Sequence, residues 1–426
     1  MPNTQLKLDQ IVYAVCVSIV PVSVVSPKAT VPLLLLLSFF LLLWNSAKVS
    51  TVLIRGGVYS CIFLPLLFVG FLSGTWSLDP NVSWTLAVKL LALVYVGCLV
   101  FAGLSSLTPD KNEFLKHALM IGVFLGCTLV FFEIATNSWL YRTTRGYGWD
   151  QVLFEETGGI NIDSPVKSSL TTLSVYIWLI LANRKVQIFY SIPAFLVIFY
   201  AAWSFGANAS LVAMTVGVFC VVLARFARRI LAATLIFGFL VGVLASPFLA
   251  KFSLETITPS NVSEKLGSVP MPMSGMNRLI TWKFTSGKIL EKPLTGWGLR
   301  TSRIIPGGGD KYNIVRRLPD GTEHILSRDF FVPLHPHNLG LQIWLELGLQ
   351  GALAAALAGT LLLLRAGRQM MLGHRSIWLV GVIVTILSHS FFSFGVWQNW
   401  WIALQFLVVA LLLIVLKGNE HRPLRD

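Results

Sequence analysis

Apolar runs of membrane-crossing length follow one another along almost the whole chain, joined by short polar breaks. A bilayer core about 30 Å thick needs roughly 20 apolar residues per helix. On that ruler the pattern predicts twelve spans, at about 10–26, 29–45, 58–75, 84–105, 115–136, 166–183, 186–203, 208–224, 230–249, 338–364, 376–394 and 397–416. Two breaks are longer, residues 137–165 and residues 250–337. Inside the second, Leu279, Trp282, Ile289 and Leu290 recur at roughly helical spacing. That spacing predicts one or two amphipathic helices on the membrane surface, followed by a flexible stretch around Gly307, Gly308 and Gly309. The expected fold is an all-α polytopic membrane protein of about 12 transmembrane helices with one large loop. Its expected organisation is 1–249 (helices 1–9), 250–337 (the large loop), 338–416 (helices 10–12) and a tail at 417–426.

Composition agrees with that class: 55% of the 426 residues are apolar and 12% are charged, too little charge to cover a soluble protein of this length. The N-terminus has no basic stretch followed by a small-residue cleavage site, so the first apolar run reads as a retained helix. A net charge of +14 invites a nucleic-acid reading, but the distribution of the charge argues against one. Joints on one side carry Lys48, Arg55, Lys111, Lys116, Arg184, Lys185, Arg225, Arg228, Arg229, Arg365, Arg368 and Arg375, and both termini add more. The short joints opposite hold only Lys28, Arg142 and Arg145, with Lys167 near a helix mouth. This is a positive-inside pattern, with both termini cytoplasmic and both long loops outside. All five cysteines lie in apolar runs without metal-ligand spacing, and they read as packing groups.

Against that pattern, the outside loop 250–337 has twelve Lys/Arg to seven Asp/Glu. A solvated face over anionic headgroups explains this, and so does a site for an anionic ligand. For the second, Arg142, Arg145, Arg278, Arg300 and Arg303 are the candidates, because arginine makes paired hydrogen bonds to phosphate oxygens and keeps its charge at an apolar boundary. The loop ends in FVPLHPHNLGLQIWLELGLQG, residues 331–351. Pro336 stops any preceding helix and Asn338 suits the N-cap of the tenth span. His337 would stand at the positive end of that helix, where a phosphate is favoured. At about 100° per residue His337, Leu341, Trp344, Gly348 and Gly351 share one face, and the glycines would admit a second helix. Glu346, roughly 13 Å deeper, needs a partner. Capping or packing and general-base catalysis are both open readings of His337. The chain has no P-loop, no Asp-x-Asp pair and no HExxH. Chemistry here is expected to use a histidine and arginines, with no metal and no cofactor.

His337-Asn338, nine residues, Gly348, two residues, Gly351 resembles the signature of the O-antigen ligase and polymerase superfamily. The stretch NRLITWKFTSGKILEKPLTGWGLR, with Arg278, Trp282 and Gly296-Trp297-Gly298, resembles a second block of that family. The twelve-span layout, with a large loop between spans nine and ten, matches as well. One departure is SFGANASLVAM, where many members carry a Ser-Arg pair at the start of the eighth span and this chain has Asn208. Arg142 and Arg145 could fill that gap. The resemblance implies a GT-C-like glycosyltransferase of the bacterial inner membrane with its site at the periplasmic face. Its donor would be an O-antigen glycan on undecaprenyl diphosphate, and the acceptor of a ligase would be a sugar hydroxyl of lipid A–core. His337 would be the base of an inverting displacement, the arginines and Asn338 the substrate contacts, and Trp282, Gly348 and Gly351 structural. Rivals are an O-antigen polymerase, a protein O-oligosaccharyltransferase and, from another class, a lipid-linked glycan flippase. The last would place charge along a central path, whereas intramembrane charge here is limited to Lys89, Glu133, Glu346 and His389.

Overall fold

A computed structural model describes residues 2–136, 138–146, 163–183, 188–267, 271–318, 320–373 and 376–417. Helices occupy each of the twelve apolar segments. Among the described residues, eight are long and apolar enough to cross a membrane, or nine if Arg228–Leu244 and Ser246–Ser253, bent by 70°, form one span. Val166–Ala182, Ser191–Ser204 and Trp378–Phe392 are shorter apolar helices. The chain is a polytopic helical membrane protein. The third span begins earlier than hydropathy predicts, at Ser46, because Arg55, Gly56 and Gly57 are carried within one helical run to Thr75.

Small residues set how closely these helices pack. Gly217 and Gly381 flank the ring of fully buried Trp178, whose indole N–H donates to Thr385 Oγ1 at 2.9 Å. This ties Asn208–Phe226 to Trp378–Phe392 and to the Val166–Ala182 helix between them. Gly122 and Gly126 admit Pro2–Val25 against Pro109–Ala135 at Val17 and Val20. Gly340 meets the Gly242 carbonyl and Gly359 lies under Phe239, which draws Arg228–Leu244 onto Leu339–Leu372.

The segment between these two helices corrects an expectation. The helix Met273–Glu291 is present, but a two-stranded antiparallel hairpin follows it, β1 (Lys311–Arg317) and β2 (Glu323–Phe330). Its register runs from Lys311 opposite Phe330 to Arg317 opposite Glu323. Tyr312 and Ile314 turn inward onto Ile257, Val262 and Ile280, while Lys311 and Asn313 face out. That is period-2 alternation, and Asp320-Gly321 is a common hairpin turn. The Gly307–Gly309 stretch is a turn. Gly308 N–H donates to the Ile305 carbonyl and the Gly308 carbonyl accepts from Val332, each at 2.8 Å, so the glycines join the hairpin to the segment before His335.

Candidate functional site

The start of the 339–372 helix organises the site. Asn338 is its N-cap, with the side-chain oxygen accepting from Leu341 N–H at 3.0 Å. One residue earlier the chain turns sharply. Pro336 is followed by His337 at φ 55, in the left-handed region that side chains with a Cβ avoid. Two side chains hold that turn. The Trp282 indole donates to the Pro336 carbonyl at 2.8 Å, and His335 Nδ1 accepts the His337 N–H at 3.2 Å.

These bonds settle which nitrogens carry protons. The His337 ring Nδ1 lies 2.6 Å from the Ser393 carbonyl, which can only accept, so Nδ1 holds the proton and Nε2 keeps its lone pair. On His335 the order is reversed: its Nδ1 accepts, so the neutral ring carries its hydrogen on Nε2, and the Gln398 amide 3.4 Å away accepts it with its oxygen, otherwise unpartnered, turned to the ring. The two rings lie 4.2 Å apart. Burial, then His337, Arg303 and Arg278, push His335 down to about 3, so it stays neutral. Burial also lowers His337 and Arg278 adds to the effect, while the Ser393 carbonyl and Asp329 pull the other way. Both imidazoles are therefore neutral near pH 7, and His337 keeps its basic nitrogen at Nε2.

The loop 393–398 supplies much of this and has no signal in the sequence. It follows Trp378–Phe392, and Ser393 and Phe394 fold back through N–H bonds to the His389 carbonyl. Gly395 lies flat against the His335 ring, where a Cβ would collide with it. Val396 N–H donates to Gln342 Oε1 at 2.9 Å, and Trp397 Nε1 donates to Glu346 at 2.7 Å. Glu346 is fully buried and does find partners: the Arg300 N–H, Ser302 Oγ at 2.5 Å, Gln342 Nε2 at 3.1 Å and Trp397.

The proposed helix face is corrected by the structure. Gly348 has φ 62 and ψ −158 and breaks the helix, and His337 precedes its first turn, so His337, Gly348 and Gly351 share no face. What lies nearest Gly348 is not a second helix. It is the backbone of Leu294 and Thr295, and a Cβ would strike it, while Gly351 meets Leu347 of its own chain segment. The close helix contact falls at Gly340 instead.

The structure groups some of the expected arginines with the histidines. Arg278, on the 273–291 helix one turn before Trp282, acts electrostatically on both histidines, and burial lowers it from its ordinary value. Arg303 acts on His335, and Arg300 opens the same short turn, Thr301–Ile304, at φ 67. Arg142 is buried on a different element, Trp139–Arg145, which packs on Pro109–Ala135. The Arg145 side chain and Tyr147 lie outside the described residues. Among the described residues no three His, Cys, Asp or Glu side chains gather as a metal-binding set. Beside Asn338 and Trp282 opens a cavity of about 550 Å³ with apolar walls from Leu235, Phe239, Leu279, Leu387 and Phe391. It lies between the bent 228–253 pair and the 378–392 helix.

Comparison with known proteins gives the same direction. Residues 193–356 match the family model described as O-antigen ligase. A protein of Rickettsia conorii, provisionally named a polysaccharide ligase, is 28% identical over 338 residues, which is 78% of this chain and 75% of that protein. A Rickettsia typhi protein of the same provisional name is 27% identical over 362 residues, 84% of this chain and 80% of its own. No solved structure matches the chain.

Proposed function

From these matches, which support an O-antigen-ligase-like family, we propose that the protein transfers a glycan from undecaprenyl diphosphate to a sugar hydroxyl of lipid A–core. The site would lie at the periplasmic face of the bacterial inner membrane, with both termini cytoplasmic and residues 250–337 and 137–165 outside. The observation that carries the reading is the tautomer of His337. With Nδ1–H fixed on the Ser393 carbonyl, Nε2 is left as a neutral base within the field of Arg278, on the residue before Asn338, which lines an apolar cavity.

Chemically, Nε2 takes the proton of the acceptor hydroxyl as its oxygen attacks the anomeric carbon. The bond from that carbon to the phosphate oxygen breaks on the opposite side, so configuration inverts, and the electron pair leaves with the diphosphate. Arg278, Arg300 and Arg303 would stabilise that charge as it develops. A diphosphate so held leaves without a metal or an acid. The apolar cavity beside Asn338 suits the prenyl chain, and anionic lipid headgroups are the natural neighbours of the remaining basic residues. The relatives' names favour ligation over polymerisation.

Purified protein with a defined donor and acceptor tests this. His337→Ala should fold and bind donor but transfer glycan at least ~100-fold more slowly, the lower end for general-base catalysis. Arg278→Ala should weaken donor use by about 1.5–3 kcal/mol, the cost of a lost charged contact, and Arg278→Lys should recover only part of it. A His337→Ala protein with near-normal turnover refutes the base assignment.

A further inference from the structure

Three non-glycine residues have positive φ among those described, Ser138, Arg300 and His337, and two of them belong to the site. Such backbone conformations persist only where the surroundings over-determine them. For His337 the clamp is His335. For Arg300 it is Glu346, whose carboxylate takes the Arg300 N–H and the Ser302 hydroxyl. The same carboxylate takes Trp397 Nε1–H from the loop whose Ser393 carbonyl orients the His337 ring. Gln342, one helical turn above, binds Glu346 with its amide nitrogen and Val396 N–H with its oxygen. One buried carboxylate thus joins the turn carrying Arg300 and Arg303 to the loop that sets the tautomer of His337. Its four donors, two on each oxygen, match the acceptor capacity of a carboxylate, whereas an amide has one oxygen and would set its own NH2 against two of them.

We propose that Glu346 is a positioning residue: it fixes the separation between the 300–303 turn and the 393–398 loop, so that arginines and histidine act on one bound substrate. This rests on the glycosyl-transfer reading above. One side-chain donor in each arm can be removed alone, and the two arms should fail differently. Trp397→Phe releases only the histidine loop, and should lower kcat about tenfold or more, as for one lost hydrogen bond to a charged group, with donor KM held within about twofold. Ser302→Ala releases only the arginine turn, and should raise donor KM by a similar factor with kcat little changed. Glu346→Gln should do both, and Glu346→Asp, which keeps the carboxylate, should recover part of the loss.

In a His337→Ala background Trp397→Phe should cost almost nothing further in kcat, because the group it orients is gone. If Trp397→Phe and Ser302→Ala lower the melting temperature while leaving kcat and KM unchanged, Glu346 is a strut and the proposal is overturned. The same holds if the Trp397→Phe loss persists in full in the His337→Ala background. Should Glu346→Gln fail to fold, the two single-arm variants still decide. Near-normal turnover by His337→Ala alone would instead remove the transfer reading, an outcome separate from failure of the coupling.

Discussion

His337 is constrained at two atoms for two purposes. Its N–H, held by His335, keeps the backbone in the left-handed region, while its Nδ1–H, held by Ser393, leaves Nε2 as the basic nitrogen. Charge then sets its working range. Burial and Arg278 place the folded pKa below the ordinary 6.5, with the Ser393 carbonyl and Asp329 opposing. A base must be neutral to act, so transfer should persist below pH 6.5 and fall only as pH drops through the lowered value. Asp329→Asn removes a charge that favours imidazolium, and should move the acid limb of the pH–rate profile to still lower pH. Arg278→Ala should move it upward. An acid limb that stays put in both variants would take His337 out of that profile.

The decisive element is the 34-residue helix from Leu339, which the chain breaks at Gly348. Inside a membrane a broken helix must have its freed backbone groups satisfied by protein. The 293–298 segment does this: the Leu345 and Glu346 carbonyls accept from Trp297 and Gly298, and Leu349 N–H donates to the Pro293 carbonyl at 2.8 Å. The break is what brings Gly296-Trp297-Gly298, and the arginine turn after it, down to Glu346. Gly348 occupies a backbone region essentially confined to glycine. Gly348→Ala should therefore cost about 1–3 kcal/mol of strain, beyond the collision with Leu294. Gly287, helical with open space around it, is the control, and Gly287→Ala should be neutral or stabilising. Equal melting temperatures for the two variants would show that the break is not required.

At the scale of the molecule, membrane orientation assigns the site to a compartment. The basic joints near 225–229 and the basic loop 250–337 must lie on opposite sides if Arg228–Leu244 crosses the bilayer. Single cysteines placed in 255–330, in a background lacking the five native ones, should react with an impermeant reagent from the periplasm. Cysteines at 225–229 should react only after lysis. Labelling of both sets from one side would overturn the topology and move His337 to the wrong compartment for a periplasmic acceptor.

What the sequence determined by itself are the features that rest on local physics. Hydropathy set the helical segments because a bilayer demands about 20 apolar residues each. Pro336 and Asn338 marked where the tenth one starts, because a cap is read within three residues. The spacing of His337, Asn338, Gly348 and Gly351 was visible too, but its cause was not. A period of 3.6 residues puts glycines on a face only if the helix continues, and the break depends on a segment fifty residues earlier filling the gap. The hairpin carried a readable alternation, outweighed by the helical spacing beside it. Only the tertiary structure decided the rest. Ser393, Trp397 and Gln398 lie more than fifty residues after the histidines, and Ser302 more than forty before Glu346. Nothing in their local sequence marks them, because hydrogen bonds between distant segments exist only once packing has brought those segments together. The proton position on His337 is of this kind: it belongs to a carbonyl at the end of another helix.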